Sequence, residues 1–121
     1  MVVLDTNIVI GFLRGEPEVI EALDRYNSAE MAITLVNQYE LSKCMPRTEL
    51  EKPLRNLAVY QSSEESVACS SDAFRMLKEK GSLISDNDLL IFGVCVANDE
   101  VLLTRDKDFA KLKSERVIVL K

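Results

Sequence analysis

The feature that most constrains this chain is a repeated couplet. A short apolar run meets a polar stop, and a segment with helical periodicity follows. Val2-Val3-Leu4 stops at Asp5-Thr6-Asn7, and Met31-Ala32-Ile33-Thr34 gives way to a helical pattern over Leu35 to Cys44. Val101-Leu102-Leu103-Thr104 precedes a short helical stretch over Asp106 to Lys113, and Val117-Ile118-Val119-Leu120 is the last such run. Runs this short and continuous suit strands buried on both faces. Strands alternating with helices imply βαβ units and a mostly parallel sheet. The chain of 121 residues is therefore read as one α/β domain over 1–121, within the usual domain size of about 100–150 residues. Its 47% hydrophobic content is enough for one core.

Between those runs the periodicity predicts further helices. One covers Ile8 to Leu13 and ends at Gly15 and Pro17; the next runs from Pro17 to about Tyr26, with Val19, Ile20 and Leu23 on one face. Leu50, Leu54, Leu57 and Ala58 give Arg47 to Tyr60 a helical spacing, with Pro53 marking a break or a start inside it. Gln61 to Ser71 is Ser-rich, and Val67-Ala68-Cys69 within it reads as a short strand. Asp72 to Lys80 reads as a helix closed by Gly81. Ser85-Asp86-Asn87-Asp88 is a cap cluster before Leu89 to Ala97, a segment apolar nearly all round and so a buried helix.

The chain contains no His, which excludes a Ser-His-Asp triad, a His general base and a HExxH-type zinc site. Its three Cys, at 44, 69 and 95, form no CxxC pair. Cys44 and Cys95 read as buried free thiols, which fits a reducing cytosol. The start of the sequence has no basic segment, and the longest apolar run, Leu89 to Ala97, is far short of the ~20 residues of a membrane helix. A soluble, cytoplasmic protein is expected. Against 15 Lys and Arg stand 20 Asp and Glu, a net charge of −5, which argues against a DNA-coating protein.

Chemistry must then fall to other groups, and carboxylates are placed for it. In open α/β sheets ligands bind beyond the carboxyl ends of the strands. Asp5 follows the first run directly, and Asp106 comes two residues after Thr104. Asp88 opens the buried helix, and Glu40 lies about one and a half turns into the helix after the second run. Each also has a structural reading. Asp5, Asp88 and Asp106 are candidate helix caps, and Glu40 has Lys43 as a ready surface partner. Taken together, several carboxylates at one edge repel one another, and a hard divalent cation such as Mg²⁺ or Mn²⁺ removes that penalty. Such a centre activates water against a phosphoryl group without any His.

The motifs carrying these acids resemble, in order, those of PIN domains, especially toxin ribonucleases of the VapC type. Val3-Leu4-Asp5-Thr6-Asn7 is similar to the family's opening signature, and Thr34 to Leu41 to its segment ending in Glu. Asn87-Asp88-Leu89-Leu90-Ile91 resembles its Asp before a buried helix, and Leu103 to Phe109 its closing Thr-x-Asp segment. The resemblance implies a three-layer α/β/α fold and metal-dependent cleavage of RNA. It makes Asp5 and Asp88 the most direct metal ligands, with Glu40 and Asp106 completing the cluster. Thr6 or Asn7 would orient Asp5, Thr104 would contact the site or a phosphate, and Asp108 is a lesser substitute for Asp106. It further implies a homodimer held inactive by an antitoxin. Arg14, Lys43, Arg47, Lys52 and Arg55 either line an RNA path or are scattered solvated charges. Phe92 and Gly93 stand where the family often has small Ala residues, which predicts altered helix packing rather than altered chemistry.

Two other functions compete. A haloacid-dehalogenase-like phosphatase would use Asp5 as nucleophile but needs a second Asp where Asn7 stands. A non-catalytic PIN-like scaffold would bind RNA or protein with the same fold.

Overall fold

The computed structural model describes residues 1–121. Five strands form one sheet: β1 (Val2–Leu4), β2 (Met31–Thr34), β3 (Ala58–Tyr60), β4 (Val101–Thr104) and β5 (Val117–Val119). Their order is β3-β2-β1-β4-β5, and every neighbouring pair is parallel. Six α-helices connect them: α1 (Thr6–Leu13), α2 (Pro17–Leu23), α3 (Leu35–Cys44), α4 (Arg47–Leu54), α5 (Glu64–Glu79) and α6 (Asp86–Ala97). Short 3₁₀ segments occupy Ser28–Glu30 and Lys107–Leu112. No helix is long and apolar enough to cross a membrane.

Strand alternation produces three layers. Val3, Ala32 and Leu102 point to one face, where they pack with Leu77, Ile91 and Phe109 from α5, α6 and the second 3₁₀ segment. Val2, Leu4, Ile33 and Leu103 point to the other, against Ile8, Val19, Leu41 and Leu50 from α1 to α4. Both faces are covered, which is why the strand sequences read as unbroken apolar runs.

The helix expected over Arg47 to Tyr60 stops at Leu54. Pro53 has no N–H to offer the preceding turn, so the helix ends within a residue of it. Ala58–Tyr60 then pairs with β2 as an edge strand. Ala58 and Val59 are exposed, so this strand lacks the apolar run that marks the others.

Val67-Ala68-Cys69 is not a strand; it lies in the second turn of α5. The serines that disguise this helix cap it and pack it. Ser63 Oγ accepts the Ser66 N–H, and Ser66 Oγ accepts the Ser63 N–H, a reciprocal cap. Ser70 is buried and donates to the carbonyl oxygens of Ser66 (3.0 Å) and Leu89 (2.8 Å), joining α5 to α6. Gly93 completes the contact. A Cβ there would run into Ser70 Oγ and the Ser66 carbonyl oxygen, so α5 and α6 approach more closely than an Ala would allow. The stretch expected to be a helix over Asp106 to Lys113 is 3₁₀, and Lys113 takes a left-handed conformation with φ 50° as its end.

Candidate active site

Parallel strands bring the residues after β1, β2 and β4 to one edge. In register Leu4 lies beside Leu103, and the Asp5 N–H continues the ladder to the Leu103 carbonyl (2.9 Å). The Asp5 side chain is therefore fixed at the end of the sheet with 4% of its surface exposed. Its Oδ1 accepts the Thr6 N–H at 2.9 Å and Asn37 Nδ2 at 3.4 Å; its Oδ2 accepts Thr104 Oγ1 at 2.6 Å. Asp5 is thus both the cap of α1 and a member of the acid group.

Glu40 is reached through the next residue. Thr6 Oγ1 donates to Glu40 Oε1 at 2.6 Å and accepts from Asn37 Nδ2 at 3.1 Å. Asn87 Nδ2 donates to Glu40 Oε2 at 3.3 Å. The Lys43 ammonium does not pair with Glu40; it lies 4.9 Å from the centre of the Tyr39 ring. Asp88 is the third residue of α6, and the cap is Ser85, whose hydroxyl accepts the Asp88 N–H at 3.2 Å. The Asp88 carboxylate is thereby released from capping. Asp106 does cap the following 3₁₀ segment, through the Asp108 N–H (2.9 Å), and its own N–H donates to Thr104 Oγ1 (3.0 Å).

Asp5, Glu40, Asp88 and Asp106 line one cleft of about 320 Å³, with Lys43 and Cys44 at its side. Cys44 is exposed, not buried as its helix pattern predicts: the apolar face of α3 runs through Leu41, and Cys44 falls on the cleft side. Asp108 is exposed and pairs with Lys111 (3.4 Å), away from the other acids. Asn7 lines the cleft but does not orient Asp5; its Oδ1 accepts the Arg105 N–H (3.0 Å) and pins the loop after β4. Two amides at the site carry no charge and escape a search for acids. Asn37 is fully buried, and its Oδ1 accepts from both the N–H and the hydroxyl of Thr34. Its spacing three residues after Thr34 is a capping-box signal visible in the sequence. Asn87 is hidden inside the cap cluster.

None of the four acids takes part in an ion pair; the cations that do pair lie elsewhere. Burial raises the Asp5 carboxyl above the usual carboxylate value, and the charges of Glu40 and Asp106 add to it against the Thr104 and Thr6 hydrogen bonds. Burial also raises Asp88, to about 6, helped by Asp5, Asp106 and Glu40 and opposed by Ser85.

The sequence pattern of PIN domains matches residues 2–115. The chain belongs to the PIN domain family. No curated protein sequence matches it. This PIN domain superposes on a chain of a toxin–antitoxin complex from Klebsiella pneumoniae with TM-score 0.83, at 21% identity over 100% of this chain and 98% of that one. A chain of FitAcB from Neisseria gonorrhoeae gives TM-score 0.84 at 20% identity over 100% and 97%. A chain of VapBC-1 from nontypeable Haemophilus influenzae gives 0.83 at 21% over 99% and 98%.

The four acids of the PIN domain cleft offer oxygen donors, the kind a hard divalent cation prefers, with the Cys44 thiol at the cleft's side. No three of the carboxylates close on a single point as the cleft stands.

Proposed function

We propose that this PIN domain is a Mg²⁺- or Mn²⁺-dependent endoribonuclease and the toxin of a toxin–antitoxin pair. The observation that carries the reading is the cleft itself: four carboxylates gathered at the carboxyl edge of the sheet with no Lys or Arg neutralising any of them. Burying carboxylates side by side costs stability: burial first, and the neighbouring acids after it, raise the Asp5 and Asp88 carboxyls. A cation brought in with the substrate offsets that cost.

In this reading Asp5 and Asp88 are the direct ligands, and Glu40 and Asp106 complete the set directly or through water. When bound, the divalent ion polarises a phosphoryl oxygen and acidifies a water for in-line attack. The chain's own part is orientation. Thr104, Thr6 and Asn37 hold Asp5 by three hydrogen bonds, so its carboxylate does not swing as charge develops. Glu40, steadied by Thr6 and Asn87, is available to accept a proton from the attacking water.

The toxin role is supported by the fold shared with a chain of the toxin–antitoxin complex from Klebsiella pneumoniae. A homodimer in the cytoplasm, restrained by an antitoxin that sets a basic side chain among the acids, completes this reading. The phosphatase alternative is disfavoured because Asn7, in place of its second Asp, binds the Arg105 N–H instead of facing Asp5. A non-catalytic scaffold gives no reason to keep four acids unpaired.

The test is incubation of the antitoxin-free protein with labelled RNA in Mn²⁺ and in EDTA. Cleavage is expected in Mn²⁺ alone, and Asp5→Asn or Asp88→Asn should abolish it in a protein that still melts cooperatively. Intact RNA after incubation of the unsubstituted protein in Mn²⁺ would sink the proposal.

A further inference from the structure

We propose that Tyr39 and Lys43 form a binding step for single-stranded RNA at the rim of the acid cleft, Tyr39 stacking a nucleobase and Lys43 meeting a backbone phosphate. The proposal rests on the nuclease reading and names the form of substrate it takes.

Tyr39 and Lys43 are one turn apart on α3, flanking Glu40 on the helix that carries it to the cleft. Lys43 is the one cation lining the cleft, yet it pairs with none of the acids there. Its ammonium lies 4.9 Å from the centre of the Tyr39 ring instead. Tyr39 contributes nothing to either core and leaves 59% of its surface in solvent. A large aromatic held by a lysine over one face and open elsewhere is the arrangement that stacks bases in single-strand binders.

Tyr39 also borders a second depression, of about 700 Å³, between α3 and α4. Arg47 and Arg55 line it, neither in an ion pair, and Glu51 is the only acid among the lining residues. In a chain of net charge −5 this is a local excess of positive charge beside the acid cleft. Tyr39 lines the groove and Lys43 lines the cleft, so the pair joins them into one path. Phosphates flanking the bond to be cut gain from Lys43, Arg47 and Arg55 what the acids alone would deny them. The occupant must be single-stranded, because inside a duplex both faces of a base are already stacked on its neighbours and none is free for the ring.

The experiment uses the full chain in EDTA, so that RNA is bound and not cut. Fluorescence anisotropy follows a labelled, unstructured oligoribonucleotide and the same strand in a duplex. The single strand should bind more tightly than the duplex. Tyr39→Ala should weaken it roughly 10-fold while Tyr39→Phe stays within about twofold. Lys43→Gln should lower the slope of log Kd against log salt by about 1. Equal affinity of Tyr39→Ala and the unsubstituted chain overturns the proposal, as does equal binding of strand and duplex or no measurable binding. Loss of a dimer on light scattering by Tyr39→Ala, with RNA affinity unchanged, also overturns it and makes this face a self-interface. Tyr39-dependent binding in a chain that leaves RNA uncut in Mn²⁺ supports the binding step and removes the nuclease reading alone.

Discussion

Thr104 Oγ1 donates a 2.6 Å hydrogen bond to Asp5 Oδ2 and accepts the Asp106 N–H at 3.0 Å, so one buried hydroxyl ties together two acids from the ends of β1 and β4. Val has nearly the same shape but no hydroxyl. Thr104→Val strands one oxygen of a buried carboxylate and frees the loop carrying Asp106. A loss of about 1–3 kcal/mol is expected, the cost of an unsatisfied buried polar group. RNA cleavage should fall with it, and Thr104→Ser should restore most of both. Thermal melts and cleavage assays on the two variants provide the check.

Asp88 sets a conflict between stability and activity. In the metal-free protein its carboxyl is raised from 3.8 to about 6, chiefly by burial and then by Asp5, Asp106 and Glu40. A raised acid favours its protonated form in the folded state. The folded protein therefore carries no penalty from this group below pH 3.8, a growing one between 3.8 and about 6, and the full one above. Asp88→Asn removes that penalty. In EDTA at pH 7.5 the variant should melt above the unsubstituted protein by about 2–4 °C, a gap that closes near pH 4. The same variant should be unable to cleave RNA. A variant that melts lower at pH 7.5 would show that Asp88 is stabilising.

What could be read from the sequence divides along physical lines. β1, β2 and β4 are central and covered on both faces, so they show as apolar runs, and the acids placed after them fall at the sheet's edge. β3 is an edge strand with exposed Ala58 and Val59, and its residues continue the helical spacing of Leu50, Leu54 and Leu57. Only Pro53 warned of the break. The helix over Asp72 to Lys80 was legible from Ala73 and Leu77, but the first half of α5 was obscured because its inward residues are Ser66 and Ser70, small polar residues satisfied by capping and by α6. Within the site the charged residues were legible as types. Asn37 and Asn87 were not, since a neutral amide acquires meaning only when its partners are known.

Gly93 is a packing residue and predicts a purely structural defect. Any Cβ there meets both a side-chain hydroxyl and a backbone oxygen of α5, and the backbone oxygen cannot rotate away. Gly93→Ala should cost about 1–3 kcal/mol despite Ala being the better helix former. Ser70→Ala in the same protein should recover only part, because the Ser66 carbonyl remains. Denaturant unfolding of the single and double variants measures the coupling. A Gly93→Ala protein as stable as the parent would mean that α5 can shift outward at little cost.

Metal binding should be visible as stability, independent of catalysis. Four unpaired carboxylates make the metal-free protein the strained form, so Mn²⁺ should raise the melting temperature. At 100 times Kd the expected gain is about 2.7 kcal/mol, and EDTA should reverse it. Asp5→Asn should abolish most of the response, because Asp5 is the acid fixed by the largest number of hydrogen bonds and so the best oriented ligand. Lys43→Gln should leave the response in place, since Lys43 pairs with none of the acids. Protons compete with the ion at Asp88, whose carboxyl is raised to about 6, and at Asp5, which burial also raises, so the gain should shrink as the solution is acidified. Superimposable melts in Mn²⁺ and EDTA at pH 7.5 would remove the metal from this site.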